Sequence, residues 1–298
     1  MSPKTHSVPA RVQEDFDPIE LAQPDFVTVL KLVWHTAISV LQEKPGQILA
    51  SAFLLLMVWG FHGNFELLRL VLPGYWGPGI GLGTRPQLIP GIPWDDELIS
   101  FWSGALILVA APMAIIRFGF RERWSQYGLG LPAPGRRKLA VWGFVTLTVL
   151  SLPAFYLGAQ NADMQMLYPF YRPFADNLQF VLYELTYFPF FLAIEFIFRG
   201  YLLFGLESIE PRHVRAAGGG AAAPIFFGKY ALLIQMLSYT AWHLGKPLPE
   251  LWGTLIWGIA AGAVAWAVRS IWPVVLSHWL LNVFLDGLIV HKLVLYKG

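Results

Sequence analysis

Residues Phe180 to Leu206 read FVLYELTYFPFFLAIEFIFRGYLLFGL, and this stretch decides the fold. A helix needs about 20 mostly apolar residues to cross a bilayer, and the stretch is longer than that. It nevertheless carries Glu184, Glu195 and Arg199. Ionisable groups at membrane depth cost several kcal/mol unless they are paired or line a wet cavity, so an intramembrane carboxylate marks a functional site whose partner has to be found. Glu195 and Arg199 are four residues apart, with the carboxylate N-terminal to the cation, the better order for a helical pair. Glu184 precedes Glu195 by about three helical turns and shares its face. The first expectation is therefore a Glu195–Arg199 ion pair inside a spanning helix.

Composition supports a membrane protein. Of 298 residues, 56% are hydrophobic and only 13% charged, against about a quarter charged in soluble domains. The net charge of +2 does not point to nucleic acid, and the basic residues lie in loops beside apolar segments, where they report topology. Thirteen Trp and eleven Tyr fit interfacial anchoring. With no cysteine, disulfides, thiolate nucleophiles and zinc–thiolate sites are excluded.

Outward from the central stretch, the chain reads as an all-α polytopic transmembrane bundle of about seven to eight spans. Residues 1–25 are polar and lack the basic-then-apolar order of a signal peptide. Residues 26–43 have helical apolar spacing broken by Lys31 and His35, which fits an interfacial helix better than a span. Residues 1–45 are thus expected to be a cytoplasmic tail with an interfacial helix, and residues 46–298 a membrane domain. Spans are predicted at 46–61, 98–117, 139–157, the central stretch, from Phe226 onward, 251–268 and 271–290. The Gly/Pro/Trp-rich segment 74–97 reads as a loop. Arg117, Arg121, Arg123, Arg136, Arg137 and Lys138 make the connection 117–138 the strongest cytoplasmic marker. Arg212 and Arg215 before AAGGGAAAP mark a second cytoplasmic connection. Together the basic loops put the N-terminus on the cytoplasmic side, and the expected location is the bacterial inner (plasma) membrane. The run GIAAGAVA in the sixth span predicts close helix approach.

Three spans carry buried polar groups: Glu195 and Arg199, then His243, then His278 with Asn282. His278 and Asn282 are four apart and share a helix face. The motifs are IEFIFRG, Ile194–Gly200; YTAWH, Tyr239–His243; and HWLLN, His278–Asn282. They resemble the three signatures of the CPBP family, E-E-x-x-x-R, F-x-x-x-H and H-x-x-x-N. This family comprises the CAAX-processing and bacteriocin-processing intramembrane proteases, also called Abi, and includes the Ras-converting CAAX endopeptidases. The resemblance covers about residues 120–290.

It implies an endopeptidase that hydrolyses a membrane-proximal peptide bond with a water activated in an intramembrane cavity. His243 would orient the water, and His278 with Asn282 would hold the oxyanion. Aligned on Arg199, the family's two glutamates fall at positions 194 and 195, and position 194 is Ile194. The usual general base is missing, a loss worth about 10²- to 10⁴-fold in rate. Glu195, moved by a local bulge, or Glu184, brought in by a break near Pro189, could replace it. Catalytic candidates are thus Glu195, His243, His278 and Asn282, with Glu195–Arg199 as a structural ion pair and Glu184 as a substitute base. Glu195, His243 and His278 have ligand types that suit zinc, but the resemblance implies metal-free chemistry, so no metal or cofactor is expected. Expected partners are membrane lipids, and either a peptide or protein substrate or another membrane protein; nucleic acid is not among them. The alternative is a catalytically degenerate member serving as a binding or assembly subunit. A transporter is disfavoured because no inverted repeat is visible.

Overall fold

A computed structural model of the chain describes residues 25–63, 91–207 and 227–293. The tail 1–24, the loop 64–90 and the linker 208–226, with Arg212 and Arg215, lie outside the described residues. Within them the protein is a helical bundle without strands.

Helix α1 is Phe26–Gln42, capped by the Asp25 carboxylate on the Thr28 amide. None of its residues is buried. Helix α2, Lys44–Met57, starts with Pro45 in its first turn and ends in a π turn, Val58–Gly63. Helix α3 runs through 95–119 with two π turns. Helix α4 is Arg137–Gly158 and α5 is Ala162–Leu167. The central stretch is α6, Asn177–Glu207, which carries Pro189 and a π segment, Phe196–Leu202. Helices α7, Ala231–Trp242, α8, Leu248–Val268, and α9, Trp272–Leu293, complete the bundle.

Five helices, α3, α4, α6, α8 and α9, are long and apolar enough to cross a membrane. Two of the predicted spans are shorter. The apolar part of α2 covers Lys44–Gly60. The fifth predicted span, placed from Phe226 onward, is the 12-residue α7, about 18 Å long. Glycines set both its limits. Gly228 has φ +52° and opens a 3₁₀ turn, Gly228–Tyr230, while Gly245 at φ +91° turns the chain directly after His243. An L-residue rarely adopts such values, so the helix stops at these points. His243 therefore lies at the end of a short helix rather than in the middle of a span.

The core brings α4 along α9, α7 against α8, and α3 against α6. Close approach of α7 and α8 depends on the predicted small-residue run. A Cβ at Gly262 would come within 2.5 Å of Leu232 and 2.6 Å of the Gln235 amide, and one at Gly258 within 2.8 Å of Met236. Gln235 Nε2 uses this proximity to donate to the Gly258 carbonyl at 2.6 Å. Small residues let backbones and polar side chains meet inside a membrane bundle.

Candidate functional site

Glu195 ends the regular part of α6, and the looser π winding begins at the next residue. Such segments, bonded i to i+5, are frequent at functional sites. Glu195 and Arg199 are both fully buried, with Arg199 Nε 3.3 Å from Glu195 Oε2. The contact is ionic rather than hydrogen-bonded, since neither atom makes a hydrogen bond among the described residues. The Arg199 guanidinium instead lies over the Tyr239 ring, 3.9 Å from its centroid. Gly200 permits this arrangement. A Cβ there would meet the Phe196 ring and the Tyr127 carbonyl, the latter at 3.0 Å.

The other oxygen of Glu195 faces α9 and α8. His278 Nδ1 lies 2.6 Å from Oε1, and Trp257 Nε1 donates to the same atom at 3.4 Å. Glu195 thus binds motif one to motif three, a contact that spacing within α6 could not reveal. A carboxylate accepts only, so the His278 Nδ1 carries its hydrogen toward Glu195. The ring is held between Phe191 and Trp257, with centroids at 4.9 and 5.2 Å.

His243 is oriented by its own helix. Its Nδ1 lies 2.7 Å from the Tyr239 carbonyl, one turn back, so Nδ1 is the donor and Nε2 faces outward. Opposite Nε2, at 3.7 Å, is Glu250 Oε1. Glu250 sits in the first turn of α8, where the helix dipole favours a carboxylate. Tyr168 OH donates to Glu250 Oε1 at 2.9 Å, and Lys246 Nζ donates to Tyr168 OH at 3.1 Å. Burial, reinforced by the Glu250 charge, pushes the Tyr168 hydroxyl well above its ordinary range, so it remains a donor. Burial pulls the Lys246 ammonium downward, partly opposed by the attraction of Glu250.

The two carboxylate–histidine pairs lie within electrostatic reach of one another. His278 interacts electrostatically with both His243 and Glu250. Asn282 lies beyond His278 on α9 and donates to Asp286 Oδ2 at 3.0 Å. Glu184 interacts with Asp286 and Asn282. Ile194 packs into the apolar core. Among the described residues, no three His, Asp or Glu side chains are grouped to hold a metal ion.

Glu250 and Asp286 were not singled out from sequence, although each had a signal. Glu250 follows the second motif by seven residues in a turn-then-helix context, and Asp286 is one turn beyond Asn282.

The fold and the site define a membrane-embedded helical protein with carboxylate–histidine pairs converging from three separate segments. Residues 177–284 match a family model described as Rce1-like, type II CAAX prenyl endopeptidase Rce1-like. The match runs from the start of α6 into α9 and includes all three motifs, so the resemblance to CAAX-processing intramembrane proteases holds over this part of the chain. No curated protein and no solved structure matches.

Proposed function

We propose that the protein is an intramembrane endopeptidase of the CAAX-processing type, which hydrolyses a peptide bond close to the membrane-proximal end of a peptide or protein substrate. The observation that carries this reading is that two motif imidazoles, within electrostatic reach of each other, are each oriented through Nδ1. His243 is fixed by the Tyr239 carbonyl and His278 by Glu195. In this arrangement His243 orients the attacking water. His278, as an imidazolium backed by the Glu195 carboxylate, would donate from its other ring nitrogen to the developing oxyanion, with Asn282 one turn away. Glu195 is then a positioning residue with the logic of a carboxylate behind a catalytic histidine. The expected setting is a bacterial inner membrane, with the basic loops and the N-terminus on the cytoplasmic side.

Burial of apolar Ile194 in the core favours a second reading, in which the fold has lost turnover and serves as an assembly subunit. Purified full-length protein in lipid vesicles, given a quenched, farnesylated peptide ending in a CAAX sequence, separates the two. Cleavage by wild type that disappears in His243→Ala supports the protease. Equal cleavage by both would sink this mechanism, and cleavage seen only with Ile194→Glu would identify the assembly subunit.

A further inference from the structure

We propose that Glu250 is the general base of this site, taking the proton of the attacking water in place of the glutamate that Ile194 replaces. The inference rests on the protease reading and deepens it.

The neighbouring carboxylates Glu184, Glu195 and Asp286 are more deeply buried. Glu195 is fully buried and held by His278, Trp257 and Arg199. Glu184 and Asp286 are buried beside Asn282. Glu250 differs in two respects. Its Oε1 is 3.7 Å from His243 Nε2, the ring nitrogen that the Tyr239 carbonyl leaves free. Its side chain retains 16% of its exposure, whereas that of Glu195 retains none.

The hydrogen-bond chemistry then says what fits between the two groups. The Tyr239 carbonyl can only accept, so His243 Nδ1 carries the hydrogen and Nε2 of the neutral ring is a bare acceptor. Glu250 Oε1 is also an acceptor, and a separation of 3.7 Å is too long for a direct bond. A water satisfies both by donating one O–H to each, which leaves an oxygen lone pair for a substrate carbonyl carbon. In the reaction the water oxygen bonds to that carbon, and the carbonyl π pair moves onto oxygen beside His278. One water proton passes to Glu250. Collapse of the intermediate breaks the C–N bond, and Glu250 returns that proton to the leaving nitrogen, giving a carboxylic acid and an amine. Tyr168 and Lys246 are positioning residues. Their chain of donors holds Oε1 in place.

The test uses full-length protein in vesicles with the same farnesylated peptide. Glu250→Gln keeps shape and removes basicity. It is expected to lower kcat about 10²- to 10⁴-fold with KM little changed, and the added Ile194→Glu change is expected to restore part of the loss. Tyr168→Phe is expected to lower kcat about tenfold, the worth of one hydrogen bond to a charged group. Should Glu250→Gln fail to fold, Tyr168→Phe decides, and unchanged kcat there overturns the proposal. Wild-type rates in Glu250→Gln overturn it while leaving the protease reading intact. Cleavage only after Ile194→Glu overturns it too, because no substitute base then operates. Silence of both wild type and Ile194→Glu removes the protease reading and this assignment together.

Discussion

Two ion pairs among the described residues join a carboxylate and a cation four residues apart, and they behave in opposite ways. In Glu195–Arg199 both side chains have no exposure, and the contact is 3.3 Å. In Lys246–Glu250 the order is reversed, the side chains keep 28% and 16% of their exposure, and the distance is 3.8 Å. The first pair lies in the π segment of a long spanning helix and is surrounded by aromatic rings and His278. The second lies where a short helix turns into the next one. Equal spacing thus produces a fully buried pair in one place and a partly exposed pair in the other. Burial and partners decide the difference, because two charges taken from water hold each other only where nothing else can solvate them.

The largest expected effect tests that contrast directly. Arg199→Ala leaves Glu195 buried and without its cation, and should destabilise the protein by about 3–5 kcal/mol, seen as poor folded yield and a lower Tm in detergent. The double change Glu195→Gln, Arg199→Met should recover much of the loss, since the stranded charge is gone. Lys246→Ala should cost only about 0–1 kcal/mol, as for partly solvated pairs. Equal destabilisation by Arg199→Ala and Lys246→Ala would break the comparison. Next in size is Gly262→Val, which drives a side chain into Leu232 and Gln235 and should cost about 1–3 kcal/mol by overpacking. Thermal unfolding would check it, and an unchanged Tm would mean that α7 and α8 can part without penalty.

A smaller effect is expected for Tyr168→Phe, which should change stability by about 1 kcal/mol or less while its cleavage rate falls. The smallest lies farthest from both pairs. The Thr28 backbone amide holds the Asp25 carboxyl below its ordinary value of 3.8. A depressed folded value means that the cap is fully present above pH 3.8 and is lost as pH falls through the lower folded value. Hydrogen exchange in the first turn of α1 should therefore quicken only under strong acid, without change in global Tm. Quickening at neutral pH would refute the cap.

The polytopic helical class and the central span were legible because each rests on short-range pattern, and the motifs that carry Glu195, His243, His278 and Asn282 are likewise local: apolar runs and four-residue spacing. Span boundaries were less legible. The interruption at Gly228 and the turn at Gly245 depend on positive backbone angles, and the hydropathy of the fifth segment masks them. Apart from the local Glu195–Arg199 pair, the partners of the carboxylates were not legible. His278 is 83 residues from Glu195 in sequence and Tyr168 is 82 from Glu250, and only packing brings such groups together.

The sequence by itself determined that the chain enters a membrane, that ionisable side chains go in with it, and that position 194 lacks a carboxylate. Those properties follow from residue type and spacing. Tertiary structure alone decided which carboxylate is closed and which is open. Glu195 is drawn between His278, Trp257 and Arg199 by the crossing of α6, α8 and α9, whereas Glu250 is set opposite His243 by the tight turn that joins α7 to α8. Hydrogen bonds and ion pairs act over a few ångströms, so their assignment depends on the meeting of distant segments, which no local pattern encodes.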